Sequence, residues 1–274
     1  MEFKNISIDD IDLVFFDLET TGLNPERGDA ICEIGAIKVK DKHLVDTFHT
    51  LINPRREIPL EAHLIHRITD EDVKNAPFFE QVIDKFMYFL GTSLVCGYNI
   101  GFDLGFLNCE LKKINYPVIE LASLDILVMA KRTIPGLPRY NLISLAKYFD
   151  IEVSHFHRAL EDAQATQGIF FKMKDTLKDR GITKVQDFIT LYGLSNDFFK
   201  KTQEPKISLI KESILAEVIL QIRYLSYSNR LNTFVIIPKE LTEFKGATFL
   251  VGVSTKTKDT LRLNLTRVLD VEIL

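Results

Sequence analysis

Apolar residues run unbroken through Val14, Phe15 and Phe16 and then give way to Asp17-Leu18-Glu19-Thr20-Thr21-Gly22. A run of this kind, with acidic residues before it and a glycine after it, predicts a central strand buried on both faces. Ala30 to Val39 and His43 to Ile52 read as two more strands, too closely spaced for crossovers and therefore antiparallel neighbours. Asn53-Pro54 and Pro59 end the sheet, and Thr69-Asp70-Glu71-Asp72 loads acid onto a helix N-terminus. Pro77 opens a helix with Phe78, Val82, Phe86 and Phe89 at helical spacing. Ser93 to Gly97 is a short strand, Asp103 to Lys113 a helix, Pro135 to Pro138 a turn and Leu142 to Phe149 a further helix. After His157 a long amphipathic helix carries Ala159, Ala163, Thr166, Phe170, Met173 and Leu177 on one stripe. The alternation predicts an α/β domain, helices packed on a mixed sheet.

Beyond residue 180 the pattern changes. Thr183 and Gln186 have the spacing of a capping box for a short helix ending at Leu191, and Lys200 to Lys206, with Pro205, reads as a linker. From Ile207 onward, short β-rich runs (Val218 to Tyr224, Phe234 to Ile237, Thr248 to Val253, Leu261 to Val268) recur at roughly ten-residue spacing, which predicts a small all-β unit. The expected division is a first domain over 1–180, a helical linker over 181–206 and a β domain over 207–274.

Composition adds little until charge is divided along the chain. Of 274 residues, 46% are hydrophobic and 26% charged, as in ordinary globular proteins. The net charge of −4 conceals an asymmetry: residues 205–274 hold 10 Lys/Arg against 7 Asp/Glu, leaving 24 against 31 for residues 1–204. The acidic front portion is not a broad electrostatic clamp for a polyanion, so any nucleic acid it takes is held locally. Cys32, Cys96 and Cys109 lack metal-ligand or paired spacing and sit in apolar stretches, as expected of reduced core thiols. The charged start and the absence of a membrane-length apolar run predict a cytoplasmic protein without a membrane partner.

The opening strand also carries the first candidate chemistry. Side chains alternate along a strand, so Asp17 and Glu19 share a face. Two readings follow: a divalent cation held between the carboxylates, or a strand that ends at Phe16 and leaves both acids in a solvated loop. Asp103 stands just after a short strand, where the carboxyl edge of a sheet forms a crevice. His157 precedes a helix and Asp162 lies one turn inside it. Taken singly these three have plain roles as a cap, a loop residue and an acid complementing the helix dipole.

Together, Phe16-Asp17-Leu18-Glu19-Thr20-Thr21-Gly22-Leu23, Asn99-Ile100-Gly101-Phe102-Asp103 and His157 with Asp162 resemble the three ordered motifs of the DEDDh, or DnaQ-like, 3′-to-5′ exonucleases, which include the proofreading epsilon subunit of bacterial replicase. Ile65-His66-Arg67-Ile68-Thr69 resembles a further segment that commonly reads His-Gly-Ile-Thr. The resemblance runs from about Ile11 to Met173. It implies a ribonuclease H-like sheet, Asp17, Glu19, Asp103 and Asp162 as ligands of two Mg²⁺ or Mn²⁺ ions, and His157 as general base. Two such cations activate a water and neutralise the leaving oxygen, and an imidazole takes a proton near neutral pH. Thr20, Leu23, Asn99, Phe102 and Phe106 are the substrate-binding candidates, with the two phenylalanines also suited by spacing to the core. Tyr98 and Arg67 depart from the family pattern, where histidine and glycine are common.

The tail resembles a WYL domain, a small Sm/SH3-like β-barrel, through Arg223-Tyr224, Pro238 with Leu241, Thr248 to Gly252 and Leu263 to Val268. The naming triad is replaced by Thr248-Phe249-Leu250, and Asn264 stands for a usual arginine. By that resemblance the tail binds a nucleic acid or nucleotide ligand, with Tyr224 and Arg267 as the surface candidates; alternatively Arg223 and Arg267 are solvated strand residues and the barrel serves folding or dimerisation only. The expected activity is release of nucleoside monophosphates from single-stranded DNA 3′ ends, with a polymerase subunit as a candidate partner. An exoribonuclease acting on RNA 3′ ends and a regulator with an idle nuclease fold are the alternatives.

Overall fold

A computed structural model describes residues 5–117, 121–194 and 197–274, without the side chains of residues 197–202. The chain divides into two compact units, residues 7–175 and residues 176–274 together with the N-terminal segment.

The first unit opens with strands β1 (Leu13–Thr20), β2 (Ile31–Lys40) and β3 (His43–Leu51), followed by helices α1 (Leu60–His66), α2 (Asp70–Val73) and α3 (Phe79–Leu90). Strand β4 (Leu94–Gly97), helix α4 (Gly101–Lys113), strand β5 (Ser123–Asp125) and helices α5 (Ile126–Thr133), α6 (Leu142–Tyr148) and α7 (Ala159–Lys178) complete it. The sheet order is β3-β2-β1-β4-β5, with β1 antiparallel to β2 and parallel to β4. β1 is therefore central, which explains its unbroken apolar run. Phe15 meets Phe170 and Phe171 of α7 at ring distances of 5.3 and 6.2 Å, and Phe16 meets Phe86 of α3 at 5.8 Å. Each is fully buried, worth roughly 1.5–3 kcal/mol in transfer terms. Helix α1 ends at Arg67, whose φ of +64° is the left-handed cap usually given to glycine, so the side chain is tolerated there with some backbone strain.

The second unit contains α8 (Val185–Tyr192), α9 (Asp197–Leu215) and strands β6 (Leu220–Leu225), β7 (Leu231–Phe244), β8 (Ala247–Ser254), β9 (Thr260–Asn264) and β10 (Val268–Ile273). Its sheet order is β10-β6-β7-β8-β9, antiparallel throughout. Among the described residues no pairing joins β9 to β10, so no closed barrel is found. No helix among them is long and apolar enough to cross a membrane.

Three local expectations are corrected here. Lys200 to Lys206 is not a linker but part of α9, which runs through Pro205. The proline removes one backbone bond, yet Ile207, Ile210 and Ile214 pack on the core of the second sheet, and that burial carries the helix on. Thr183 and Gln186 form no capping box: Lys184 is the N-cap of α8, and Gln186 donates to Thr190 Oγ1 at 3.4 Å. The run Leu261 to Val268 is not one strand, because a 3₁₀ turn at Leu265–Arg267, capped by Asn264, separates β9 from β10.

Candidate active site

Asp17 and Glu19 lie near the carboxyl end of β1, on the face that also carries Phe15. Directly opposite them on β2 stand Gly35 and Glu33. A β-bulge follows Glu19, where pairing jumps from Glu19↔Glu33 to Thr20↔Ile31; such bulges re-aim side chains at the rims of sheets. The first turn of α7 descends onto this face. A Cβ built on Gly35 would lie 2.1 Å from the Leu160 backbone nitrogen, so only glycine admits the helix so close. That approach brings Asp162 to the two strand carboxylates.

One carboxylate oxygen each of Asp17, Glu19 and Asp162 lie within 4.8 Å of one another. Asp103, in the first turn of α4, is buried beside them. Its Oδ1 accepts the Leu18 backbone N–H at 3.0 Å, and among the neighbouring charges it acts most strongly on Asp17. The sequence therefore placed four acids that the fold does gather, three in one knot and the fourth braced against β1. His157 is exposed with φ +64°, and its backbone N–H donates to Asp162 Oδ2 at 3.2 Å. Its imidazole makes no hydrogen bond among the described residues.

Burial dominates the electrostatics. It holds the Asp17 carboxyl well above its ordinary value, with Asp103, Glu19 and Asp162 adding repulsion. Burial and then Asp162 push Glu19 up to about 8. Asp103 is raised by burial to about 8 and Asp162 to about 6. No lysine or arginine is paired with any of the four among the described residues. Asp162 Oδ1 is buried without a hydrogen-bond partner, an orphaned acceptor aimed into an all-oxygen donor set. Such a set fits a hard divalent cation such as Mg²⁺ or Mn²⁺ and restores what burial costs the carboxylates.

Two further groups were given no role in the sequence reading. Glu33 is a fifth carboxylate on this face, fully buried, which accepts from Arg158 (2.6 and 3.2 Å), the Ala159 backbone N–H (3.0 Å) and His49 Nε2 (2.7 Å). Burial works to raise its pKa, but Arg158 and His49 outweigh it and the net shift is downward. An acid inside the apolar run Ile31-Cys32-Glu33-Ile34 was the available signal, of the same kind as Asp17. His66 is buried, accepts the Ile68 N–H at 3.0 Å on Nδ1, and bonds the Thr20 backbone; burial lowers its pKa.

Beside the acids a groove of about 400 Å³ is lined by Glu19, Thr20, Leu23, Ile65, His66 and Phe102, among others. Leu23 is 83% exposed at its rim. The Thr20 hydroxyl is spent on the Gly22 carbonyl at 2.6 Å. Asn99 is exposed in a left-handed turn, its backbone held by the Asp125 carboxylate, and it does not line the groove. Phe106 is 0% exposed beneath Phe102, with ring centres 4.9 Å apart, so it takes the core position and leaves Phe102 at the surface.

A sheet of mixed direction with helices around it and acids converging from β1, α4 and α7 is the architecture of a nuclease. The chain belongs to the exonuclease family: the RNase T exonuclease model matches residues 14–170, and the fold is the ribonuclease H-like fold of its DEDDh branch. It is 40% identical over 167 residues to the DNA polymerase III subunit epsilon of Rickettsia conorii, covering 58% of this chain and 72% of that protein. It is 39% identical over 178 residues to the PolC-type DNA polymerase III of Caldanaerobacter subterraneus, covering 64% of this chain and only 12% of that much longer polymerase. Among solved structures, the zinc-bound form of the E. coli ExoI–single-stranded DNA complex superposes with a TM-score of 0.58 at 20% identity, over 88% of this chain and 54% of that one.

Proposed function

We propose that this chain is a divalent-metal-dependent 3′-to-5′ exonuclease that trims single-stranded DNA ends to nucleoside monophosphates. The observation that carries the reading is the convergence of Asp17, Glu19 and Asp162 within 4.8 Å, with no lysine or arginine paired to them among the described residues. Asp17, Glu19, Asp103 and Asp162 would hold two Mg²⁺ or Mn²⁺ ions, whose chemistry is to lower the pKa of water and neutralise a leaving oxygen. His157, with its exposed imidazole, takes the proton of the attacking water on a ring nitrogen. Leu23 and Phe102, at the groove, wedge or stack the terminal bases, the aromatic ring without regard to sequence. The DNA preference draws on the polymerase names of the relatives. A partnership with a polymerase subunit belongs to the same proposal.

The test is release of label from 3′-labelled and 5′-labelled single-stranded DNA and RNA in Mn²⁺. Mononucleotides freed first from the 3′-labelled DNA support the reading. Preferential attack on RNA would make the chain an exoribonuclease, and no release from either substrate would leave it an idle binder.

For the second unit we infer an Sm/SH3-like β unit related to WYL domains, supported by the helix that precedes β6, the pairing of β10 with β6 and the 3₁₀ turn before β10. Tyr224 and Arg267 are not the surface residues expected to meet a ligand. Both are buried, and Arg267 donates to the Leu225 and Ser226 carbonyls at 3.3 and 2.8 Å.

A further inference from the structure

Glu33 occupies a position that packing and pairing alone would make costly. It faces Glu19 directly across the β1–β2 ladder, where like charges destabilise a sheet, and its side chain has no contact with water. What compensates is a set of four donated hydrogen bonds, and the donors are informative. Two come from Arg158 and one from the Ala159 backbone, the two residues that immediately follow His157. Ala159 opens α7, and Asp162 follows three residues later. The Ala159 N–H is one of the four amides that a helix start leaves without an intrahelical partner, so Glu33 acts as a cap supplied from another strand. Gly35, two residues along β2, gives α7 the close approach that brings this amide within reach. On the other side of His157, its own N–H is tied to Asp162. The backbone is thus held before and after the imidazole, while the ring makes no hydrogen bond among the described residues.

Arg158 matters for a second reason. Its charge acts on Glu19, one of a group of carboxylates that no lysine or arginine pairs with among the described residues. A guanidinium is a good ligand for paired carboxylates, so an unrestrained Arg158 would compete with any metal ion for them. Glu33 binds it through both Nε and Nη2.

We propose that Glu33 is a positioning residue: it holds Arg158 and the first turn of α7 so that Asp162 and His157 are presented to the acidic cluster and the guanidinium is kept out of it. The consequence for turnover rests on the exonuclease reading; the consequence for metal binding does not. Glu33→Gln keeps the side-chain volume and an acceptor for the Ala159 N–H but leaves Arg158 unneutralised. Its Mn²⁺ affinity, measured by calorimetry on the full chain, should fall about tenfold, and kcat on single-stranded DNA should fall about 10- to 100-fold with KM within about threefold. Adding Arg158→Met removes the competitor and should return Mn²⁺ affinity to within about threefold of the original chain, a coupling that a purely structural role would not produce. Wild-type Mn²⁺ affinity in Glu33→Gln, or a double variant no better than Glu33→Gln, would overturn the proposal. Should Glu33→Gln fail to fold, Arg158→Met alone decides: Mn²⁺ binding kept with kcat lowered supports it, and Mn²⁺ binding lost overturns it. A chain that binds Mn²⁺ and follows this pattern yet frees no nucleotide would refute the exonuclease reading and leave the positioning role standing.

Discussion

The Glu33 cradle and the acidic knot beside it are two treatments of one problem. Both bury carboxylates on the same face of β1 and β2, and Glu33 pairs directly with Glu19 across the ladder. Glu33 is given Arg158, His49 and a helix amide and stays ionised below its ordinary range. Asp17, Glu19 and Asp103 form no ion pair among the described residues and are driven upward by burial. The contrast separates scaffold from site: a buried charge that the protein satisfies holds structure together, and one that it leaves unsatisfied awaits a ligand.

The sharpest way to break the comparison is to change the unsatisfied side. Asp17→Asn should cut turnover by about a thousandfold or more, since metal stabilisation of the transition state is worth several kcal/mol and each ~1.4 kcal/mol is tenfold. Measured single-turnover rates within tenfold of the original would remove Asp17 from the machinery. His157→Ala should cost about 10²- to 10³-fold in kcat while Mn²⁺ binding by calorimetry is preserved, because its ring is outside the carboxylate knot. A parallel loss of metal would show that the imidazole serves as a ligand instead.

The scaffold side predicts a change in stability. Gly35→Ala forces a methyl into the start of α7 and should destabilise the fold by about 1–3 kcal/mol in urea titration, with Asp162 displaced and activity reduced further. An unchanged midpoint would mean that α7 yields without cost. A last effect is expected on pH dependence. The carboxyls of Glu19 and Asp103 rise from the ordinary range to about 8 in the folded chain. Between those limits the folded state holds protons that the unfolded state has released. Their contribution is complete below the ordinary carboxyl range and is lost as pH rises toward about 8. Thermal melting in EDTA should therefore decline from pH 5 to pH 8, and saturating Mn²⁺, which displaces those protons, should flatten the decline. Parallel melting curves with and without Mn²⁺ would contradict it.

How far the pattern of residues foretold these regions differs between them. The double-sided apolar run around Phe15 and Phe16 foretold a central strand, because burial on both faces leaves no polar position to break the run. The order of the acidic motifs foretold that Asp17, Glu19, Asp103 and Asp162 share a locus. Phe106 and Phe102 were indistinguishable, since four-residue spacing puts both on one helical face and only the packing of α4 buries one of them. Pro205 hid a helix, because a local breaker is overridden when Ile207, Ile210 and Ile214 have a sheet to cover. Tyr224 and Arg267 looked available for a ligand, and the β6 and β10 neighbourhood instead takes them inward.

By itself the sequence determined which chemistry the chain has to offer: an all-oxygen set of acids, an imidazole beside the last of them, and the hydrophobic periods that build strands and helices around them. Only the tertiary structure decided which of the buried acids would be neutralised. Arg158 stands 125 positions from Glu33, and no local pattern reports which carboxylate a distant guanidinium will reach. That choice depends on how closely α7 approaches β2, and it is what leaves the remaining four acids open to a metal.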